Sequence, residues 1–200
     1  MSSREHILNA VRANQPERIG LPEVPRFAPY FEDPVAKFAE VLSGIGASVV
    51  EVSDYAAIRA YLPVHFDCSK PLYAMVAELE DLAFANAVYG RPQDLHTTEL
   101  MILPAAFGVA ENGAVWITDA LLPERVLPFI PEHLAVIVAR DAIVRDMHEA
   151  YVRIGAAEYG WASFIAGPSK TADIEQSLVL GAHGPRSMTV FIINEPAARS

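Results

Sequence analysis

Apolar positions recur along this chain in two rhythms, and their alternation predicts the order of elements. Ile7, Leu8 and Val11 fall on one helical face behind Ser2-x-x-Glu5, a capping box, which predicts a short amphipathic helix over residues 3–13. With so few large apolar residues, that helix must dock to be stable. Pro16, Pro22, Pro25 and Pro29 then prevent a regular element and leave an extended arm with aromatic anchors Phe27, Tyr30 and Phe31. The arm either lies over the domain as a linker or reaches a second subunit in a homo-oligomer. Asp33-Pro34 starts a second helix carrying Val35, Phe38, Leu42 and Ile45, and Gly44 and Gly46 end it. Residues 47–52 read as a strand. Ser53 or Asp54 caps a helix over 55–62, residues 71–76 form the next strand, and 78–89 the next helix.

The middle of the chain breaks this alternation. Residues 98–110 and 114–118 are apolar runs joined by Glu111-Asn112-Gly113 with no helix between them, so a hairpin grafted onto the sheet is expected. Leu134–Ala139 is a continuous apolar run of the kind found in a buried central strand. Ile143, Val144, Met147, Tyr151 and Ile154 stripe a helix ending near Gly155. Residues 161–166 and 188–193 read as strands joined through a helix over 172–180, a parallel crossover unit. The pattern predicts an α/β fold in three layers, with a mostly parallel central sheet flanked by helices. Residues 1–33 form a helical and Pro-rich N-terminal arm, and residues 34–200 form one α/β domain.

Composition narrows the function classes. An apolar fraction of 52% supplies a sizeable core for 200 residues. A formal charge of −10, with the 15 basic residues forming no run, argues against nucleic-acid binding. No apolar stretch reaches the length of a membrane span, and the first residues show no export signal, so a cytoplasmic protein is expected. Cys68 is the single cysteine, which leaves no local set for a disulfide, a zinc site or an iron–sulfur cluster. The histidines show no HxH or HxxxH spacing, and no GxGxxG or GxxxxGK[ST] loop occurs, so no metal, dinucleotide or P-loop site is expected.

Three turns carry chemistry. Glu111 stands in an otherwise apolar stretch, where burial would raise its pKa and suit it to act as acid, base or nucleophile. Asn112-Gly113 beside it needs no functional explanation, because both residues tolerate the positive φ of a tight hairpin. Gly167-Pro168-Ser169-Lys170-Thr171 offers backbone N–H groups, hydroxyls and a cation at the start of the expected helix, an arrangement that attracts anions. Lys170 would there face either an anionic ligand or the acidic Asp173 and Glu175. His183-Gly184-Pro185-Arg186 adds a histidine able to move protons near neutral pH and an arginine able to fork onto a carboxylate or phosphate. A structural role for His183 stays open beside the catalytic one. A single site would require Glu111, Lys170, His183 and Arg186 to meet in one cleft at the C-terminal edge of the sheet.

Phe164-Ile-Ala-Gly-Pro-Ser-Lys-Thr-Ala-Asp-Ile-Glu175 followed by Val179-Leu-Gly-Ala-His-Gly-Pro-Arg186 resembles the C-terminal signature of the lactate-utilization protein C family, also called LUD-domain proteins. The opening Ser3–Leu8 helix, Val109–Gly113 and Pro131–Leu134 extend the likeness over nearly the whole chain. The resemblance implies the fold shared with ribose-5-phosphate isomerase and the CoA transferases. It also implies membership of a system that oxidises L-lactate to pyruvate, with the iron–sulfur clusters on cysteine-rich partner proteins and no cofactor in this chain. Asn112-Gly113-Ala114 departs from a Thr-Gly-Thr-like stretch in the family, which puts in doubt any role tied to those hydroxyls. The same departure makes Ala110-Glu111-Asn112-Gly113 similar to the Ser-Glu-Asn-Gly motif of CoA transferases, whose glutamate forms an acyl-CoA thioester. Three readings follow. The chain is a subunit of a lactate-oxidising assembly that binds a small anion, or an enzyme of the CoA-transferase and sugar-phosphate isomerase class using Glu111 and CoA, or a non-catalytic interaction subunit.

Overall fold

The apolar runs of the chain become strands, and five of them join in one parallel sheet. The computed structural model describes residues 2–20, 22, 23, 25, 31–82, 91–172 and 178–194. Helix α1 (Ser3–Ala13) forms with its capping box complete, Ser2 Oγ accepting from Glu5 N and Glu5 accepting from Ser2 N. It buries none of its residues, and Ile7 and Val11 remain 61% and 51% exposed, so the docking expected of it is not made within the described residues. In the arm, Phe27 and Tyr30 lie outside the described residues, while Phe31 packs partly buried against the core. That contact fits an arm laid over the domain.

Helix α2 (Pro34–Gly44) is capped by Asp33, whose Oδ1 accepts from Val35 N and Ala36 N. Strand β1 (Ser48–Val52) follows, then α3 (Tyr55–His65), for which Asp54 rather than Ser53 supplies the cap through Ala57 N. Strand β2 (Leu72–Ala74) leads to a 3-10 turn over Ala77–Leu82 in place of the start of the expected helix, whose remainder lies outside the described residues. Strands β3 (Leu100–Pro104), β4 (Phe107–Val109), β5 (Ala114–Thr118) and β6 (His133–Ala139) come next. Ile143 and Val144 form a short strand, β7, and only Met147–Ile154 is helical, as α4. The helix starts late because Asp146 caps it, accepting from Glu149 N, while β7 pairs with β4.

Strand β8 (Ala162–Ile165) is followed by β9 (Lys170–Ala172) and β10 (Leu178–Leu180), which pair antiparallel, and then by β11 (Ser187–Ile193). The helix expected over 172–180 is therefore replaced at both ends by a two-stranded ribbon, and residues 173–177 lie outside the described set. Nor do its flanking strands form one crossover unit, because β8 and β11 belong to different sheets.

The parallel sheet has the order β1-β11-β6-β3-β2, and β6 is its middle strand, buried from Leu134 to Val138. A strand covered on both faces needs the continuous apolar run that β6 shows. Alternate residues divide between the two faces. Leu100, Ile102, Ala135, Ile137, Phe191 and Ile193 pack in the cluster that includes Ile58 and Leu62 of α3. Met101, Leu103, Leu134, Val136, Val190 and Ile192 face the other way, toward α2 and a second sheet of order β7-β4-β5-β8. The expected hairpin is real, with β4 and β5 antiparallel, but it builds this second sheet rather than extending the first. The fold is thus α/β with a mostly parallel central sheet flanked by helices, one flank shared between α2 and the second sheet. Phe38 and Leu42 of α2 are fully buried, a burial that stabilises by roughly 1.5–3 kcal/mol per side chain of this size. Gly108 makes room for that contact, since a Cβ there would lie 2.9 Å from Phe38 Cζ.

Candidate functional site

Four of the residues singled out from the sequence meet in one cleft. Gly167, Ser169, Lys170 and His183 line a cleft of about 340 Å³ together with Phe129 and Phe164. The local fold explains the meeting. Gly167 takes φ +74° as the chain leaves β8, and a Cβ there would come within 3.2 Å of Ile45 Cγ1, so the turn packs tightly against the end of α2. Ser169 N donates to Pro185 O at 2.9 Å and Gly181 N donates to Ser169 O at 3.0 Å. These two bonds clamp the Gly-Pro-Ser-Lys turn to the His-Gly-Pro-Arg turn. Gly184 allows the approach, because a Cβ on it would lie 3.1 Å from Ser169 Cβ.

Lys170 opens a strand, so the expectation of an anion held at a helix N-terminus loses its basis. Its ammonium lies beside the turn ending α2, 3.6 Å from where a Cβ on Gly46 would stand. A cation is favoured at that end of a helix. Among the described residues no carboxylate pairs with Lys170, and Asp173 and Glu175 lie outside that set. Lys170 and His183 are exposed, and Ser169 is half-buried. The aromatic walls are themselves packed. Phe129 lies edge-on to Trp161 at 6.1 Å between centroids, and Phe164 lies 4.4 Å from Trp116.

The remaining expected residues stand elsewhere. Thr171 pairs with Val179 in the β9–β10 ribbon. Arg186 Nη1 donates to Glu132 Oε1 at 2.7 Å, and this bond holds the Glu132 carboxyl below its usual range and the Arg186 guanidinium above its own. Glu111 is exposed, not buried among apolar residues, and its Oε2 accepts from Met147 N at 3.0 Å at the start of α4. Asn112 Oδ1 accepts from Ala114 N, and Gly113 takes φ +70° against Leu42. Glu111, Asn112 and Gly113 therefore form a hairpin turn and a helix cap outside the Lys170 cleft.

The cleft lies beside the N-terminal ends of β6 and β11, where Leu134 and Pro185 line it, and not at the C-terminal edge. The physical reason is that β8, which leads into Gly167 and Lys170, belongs to the second sheet and not to the parallel one. A polar network that the sequence reading missed occupies the same edge. His133 Nδ1 lies 2.6 Å from Ser187 Oγ, its Nε2 lies 3.8 Å from Glu99 Oε1, and Lys70 Nζ donates to Glu99 Oε2 at 2.8 Å. The bond that Lys70 donates to Glu99 raises the Lys70 pKa. Only the strand register, with Leu100 opposite His133 and His133 opposite Ser187, brings these groups together. Among the described residues no group of three or more His, Cys, Asp or Glu could hold a metal ion, and no helix is long and apolar enough to cross a membrane.

The mostly parallel sheet covered on both faces defines an α/β domain class, and sequence comparison gives the family. The LUD domain profile matches residues 71–193, so the chain belongs to the LUD domain family. It is similar to a lactate utilization protein C of Bacillus pumilus, 29% identical over 136 residues that cover 62% of this chain and 57% of that protein. A lactate utilization protein C of Geobacillus thermodenitrificans is 31% identical over 119 residues, covering 55% of this chain and 49% of its own length. The chain thus spans about half the length of these relatives. A DUF162 family protein from Deinococcus radiodurans has the same fold, with a TM-score of 0.55 at 18% identity, covering 80% of this chain and 96% of that one.

Proposed function

We propose that this chain is a cytoplasmic component of a lactate-utilization system in which L-lactate is oxidised to pyruvate, and that it binds a small anionic ligand in the Lys170 cleft. The reading is supported by the family and by the names of its relatives, lactate utilization protein C. The observation that carries the ligand is the convergence of Lys170, Ser169 and His183 between the rings of Phe129 and Phe164. On a chain of net charge −10, an anion needs such a local cation. Lys170 supplies the charge and Ser169 a hydroxyl donor, beside the rings of Phe129 and Phe164. His183, on the same lining, adds an imidazole to the cleft. With one cysteine in the chain, the iron–sulfur clusters of the system reside on cysteine-rich partner proteins in this reading. The CoA-transferase alternative finds no comparable support, because the Glu111 carboxylate caps α4 away from the cleft.

Two measurements test the proposal. Tagged protein from cells grown on L-lactate is expected to co-purify with cysteine-rich iron–sulfur proteins, and undiminished growth on lactate after deletion of the gene would overturn the role. Because both tryptophans pack on the cleft walls, titration with L-lactate or pyruvate is expected to change intrinsic fluorescence. Lys170→Ala should weaken that response about tenfold, as loss of a charge-assisted hydrogen bond implies. An unchanged titration in the variant removes the ligand from this cleft.

A further inference from the structure

A second cleft lies at the opposite end of the parallel sheet. It has a volume of about 230 Å³ and stands where β3, β6 and β11 end, lined by Pro104, Ala139 and Ile193 with Tyr55, Asp141 and Arg153 around them. In open parallel sheets this carboxyl edge is where ligands bind, because strand ends and their following turns leave a crevice there. None of the residues expected from the sequence to form a site lies on it.

Arg153 is the residue that makes the cleft chemically specific. It sits in the last turn of α4, and its guanidinium is held in place from three sides. Nη1 donates to Ala142 O at 3.3 Å, Nη2 donates to Ala106 O at 3.5 Å, and the guanidinium carbon lies 5.2 Å from the centre of the Phe107 ring. Those contacts use two of its five N–H donors and leave its charge without a carboxylate partner. Five other arginines do pair with carboxylates (Arg59 with Asp81, Arg91 with Asp94, Arg125 with Asp119, Arg140 with Glu51, Arg186 with Glu132). Among the described residues no carboxylate lies within ion-pair distance of Arg153, although Asp141 shares the lining. A positioned guanidinium with spare donors and no internal counter-ion is suited to a ligand carboxylate.

We propose that this cleft is a second ligand site, selective for a small monocarboxylate whose charge pairs with Arg153 and whose short apolar body lies against Pro104, Ala105, Ala139 and Ile193. The volume suits a small molecule, and Pro104, Ala105, Ala139 and Ile193 give it an apolar wall of small side chains. Asp141 sets the charge. A dianion such as a dicarboxylate or a phosphate would bring a second negative charge toward that carboxylate, whereas a hydroxyl on a monocarboxylate could donate to it. The inference does not depend on the Lys170 cleft, which lies at the other end of β6.

The test uses the full chain, labelled with ¹⁵N, titrated separately with propionate, malonate and inorganic phosphate. Propionate is expected to shift the amides of Ala105, Ala106 and Ala139 saturably, and malonate and phosphate are expected to do so far more weakly. Arg153→Gln should weaken propionate binding about tenfold or more, while Asp141→Asn should bring malonate close to propionate. Ala139→Leu keeps Arg153 and fills the cleft, so it should also abolish the shifts, and it serves where Arg153→Gln does not fold. Lys170→Ala should leave them unchanged. Propionate binding that survives both Arg153→Gln and Ala139→Leu, or shifts that appear at Gly167–Lys170 instead, would overturn the proposal. Failure here leaves the Lys170 cleft untouched, because that cleft is read by tryptophan fluorescence and by Lys170→Ala.

Discussion

Gly113 and Glu111 are neighbours with different duties, and substitution separates them. Gly113 holds φ +70°, and a Cβ there would lie 3.2 Å from Leu42 Cγ and 3.3 Å from Leu42 N, so the position combines a left-handed backbone with a crowded one. Left-handed geometry alone costs an L-residue roughly 1–2 kcal/mol. Gly113→Ala is therefore expected to lower stability by about 2 kcal/mol, read as a lower urea midpoint with an unchanged slope. Glu111 accepts from Met147 N and so satisfies one of the unpaired donors at the start of α4. Glu111→Ala should cost about 1 kcal/mol, as loss of a cap does, while Glu111→Gln keeps an acceptor oxygen and should cost less. A nucleophilic role predicts the reverse emphasis, with Glu111→Gln abolishing turnover of a CoA ester while stability holds. The Asn-Gly signal identified this turn correctly, since its geometry is local. What the sequence could not disclose was the Glu111 partner, which comes from α4 across the β4–β7 pairing.

At the scale of elements, the pattern was legible wherever a local cap or a continuous apolar run decided the matter. α1, α2 and α3 begin at the residues their caps specify, and β6 appears as the buried middle strand. It failed where pairing with a distant strand competed with helical periodicity. Ile143 and Val144 fit a helical stripe with Met147 and Tyr151, yet they pair with Gly108 and Val109. Val179 likewise falls within the helix expected over 172–180 but pairs with Thr171 in a ribbon. Both cases put β-branched residues into strands, where they lose less side-chain freedom than in a helix. The helix α1 presents the opposite case, since its local signals are complete and none of its residues is buried. With no buried residue, removal of residues 1–13 should change the free energy of unfolding by no more than about 0.5 kcal/mol. Thermal unfolding of the shortened chain checks this, and a drop of more than about 4 °C would show that α1 docks, within this chain or onto a second copy.

Across the whole molecule, the edge of the parallel sheet beside the N-terminal ends of β6 and β11 gathers most of the polar groups described above, and only part of it was visible in the sequence. Lys170, Ser169 and His183 could be singled out because each sits in a Gly-Pro turn whose chemistry is local. The Glu99–His133–Ser187 network could not, because its members lie on two strands and just before a third and meet only through register. The same edge contains the Glu132–Arg186 pair, which ties the segment before β6 to the residue before β11 and adds to the backbone bond from Arg186 N to Glu132 O. This pair gives the edge a pH dependence with a definite sign. The hydrogen bond from Arg186 lowers the Glu132 pKa in the folded chain, so the folded state favours the ionised carboxylate more than the unfolded state does. The stabilisation is fully present above the ordinary glutamate value of about 4.3 and is lost as pH falls through the lowered folded value. Both side chains are substantially exposed, 63% for Arg186 and 47% for Glu132, so solvent and salt keep the effect small. Glu132→Gln should accordingly be less stable than the parent at pH 7, and the gap should narrow as pH is lowered through the carboxylate range. Added salt at pH 7 should narrow it as well. Urea midpoints of the two proteins at pH 7, 5, 4 and 3 measure this, and a gap that stays constant with pH would show that Glu132 acts through packing rather than through its charge.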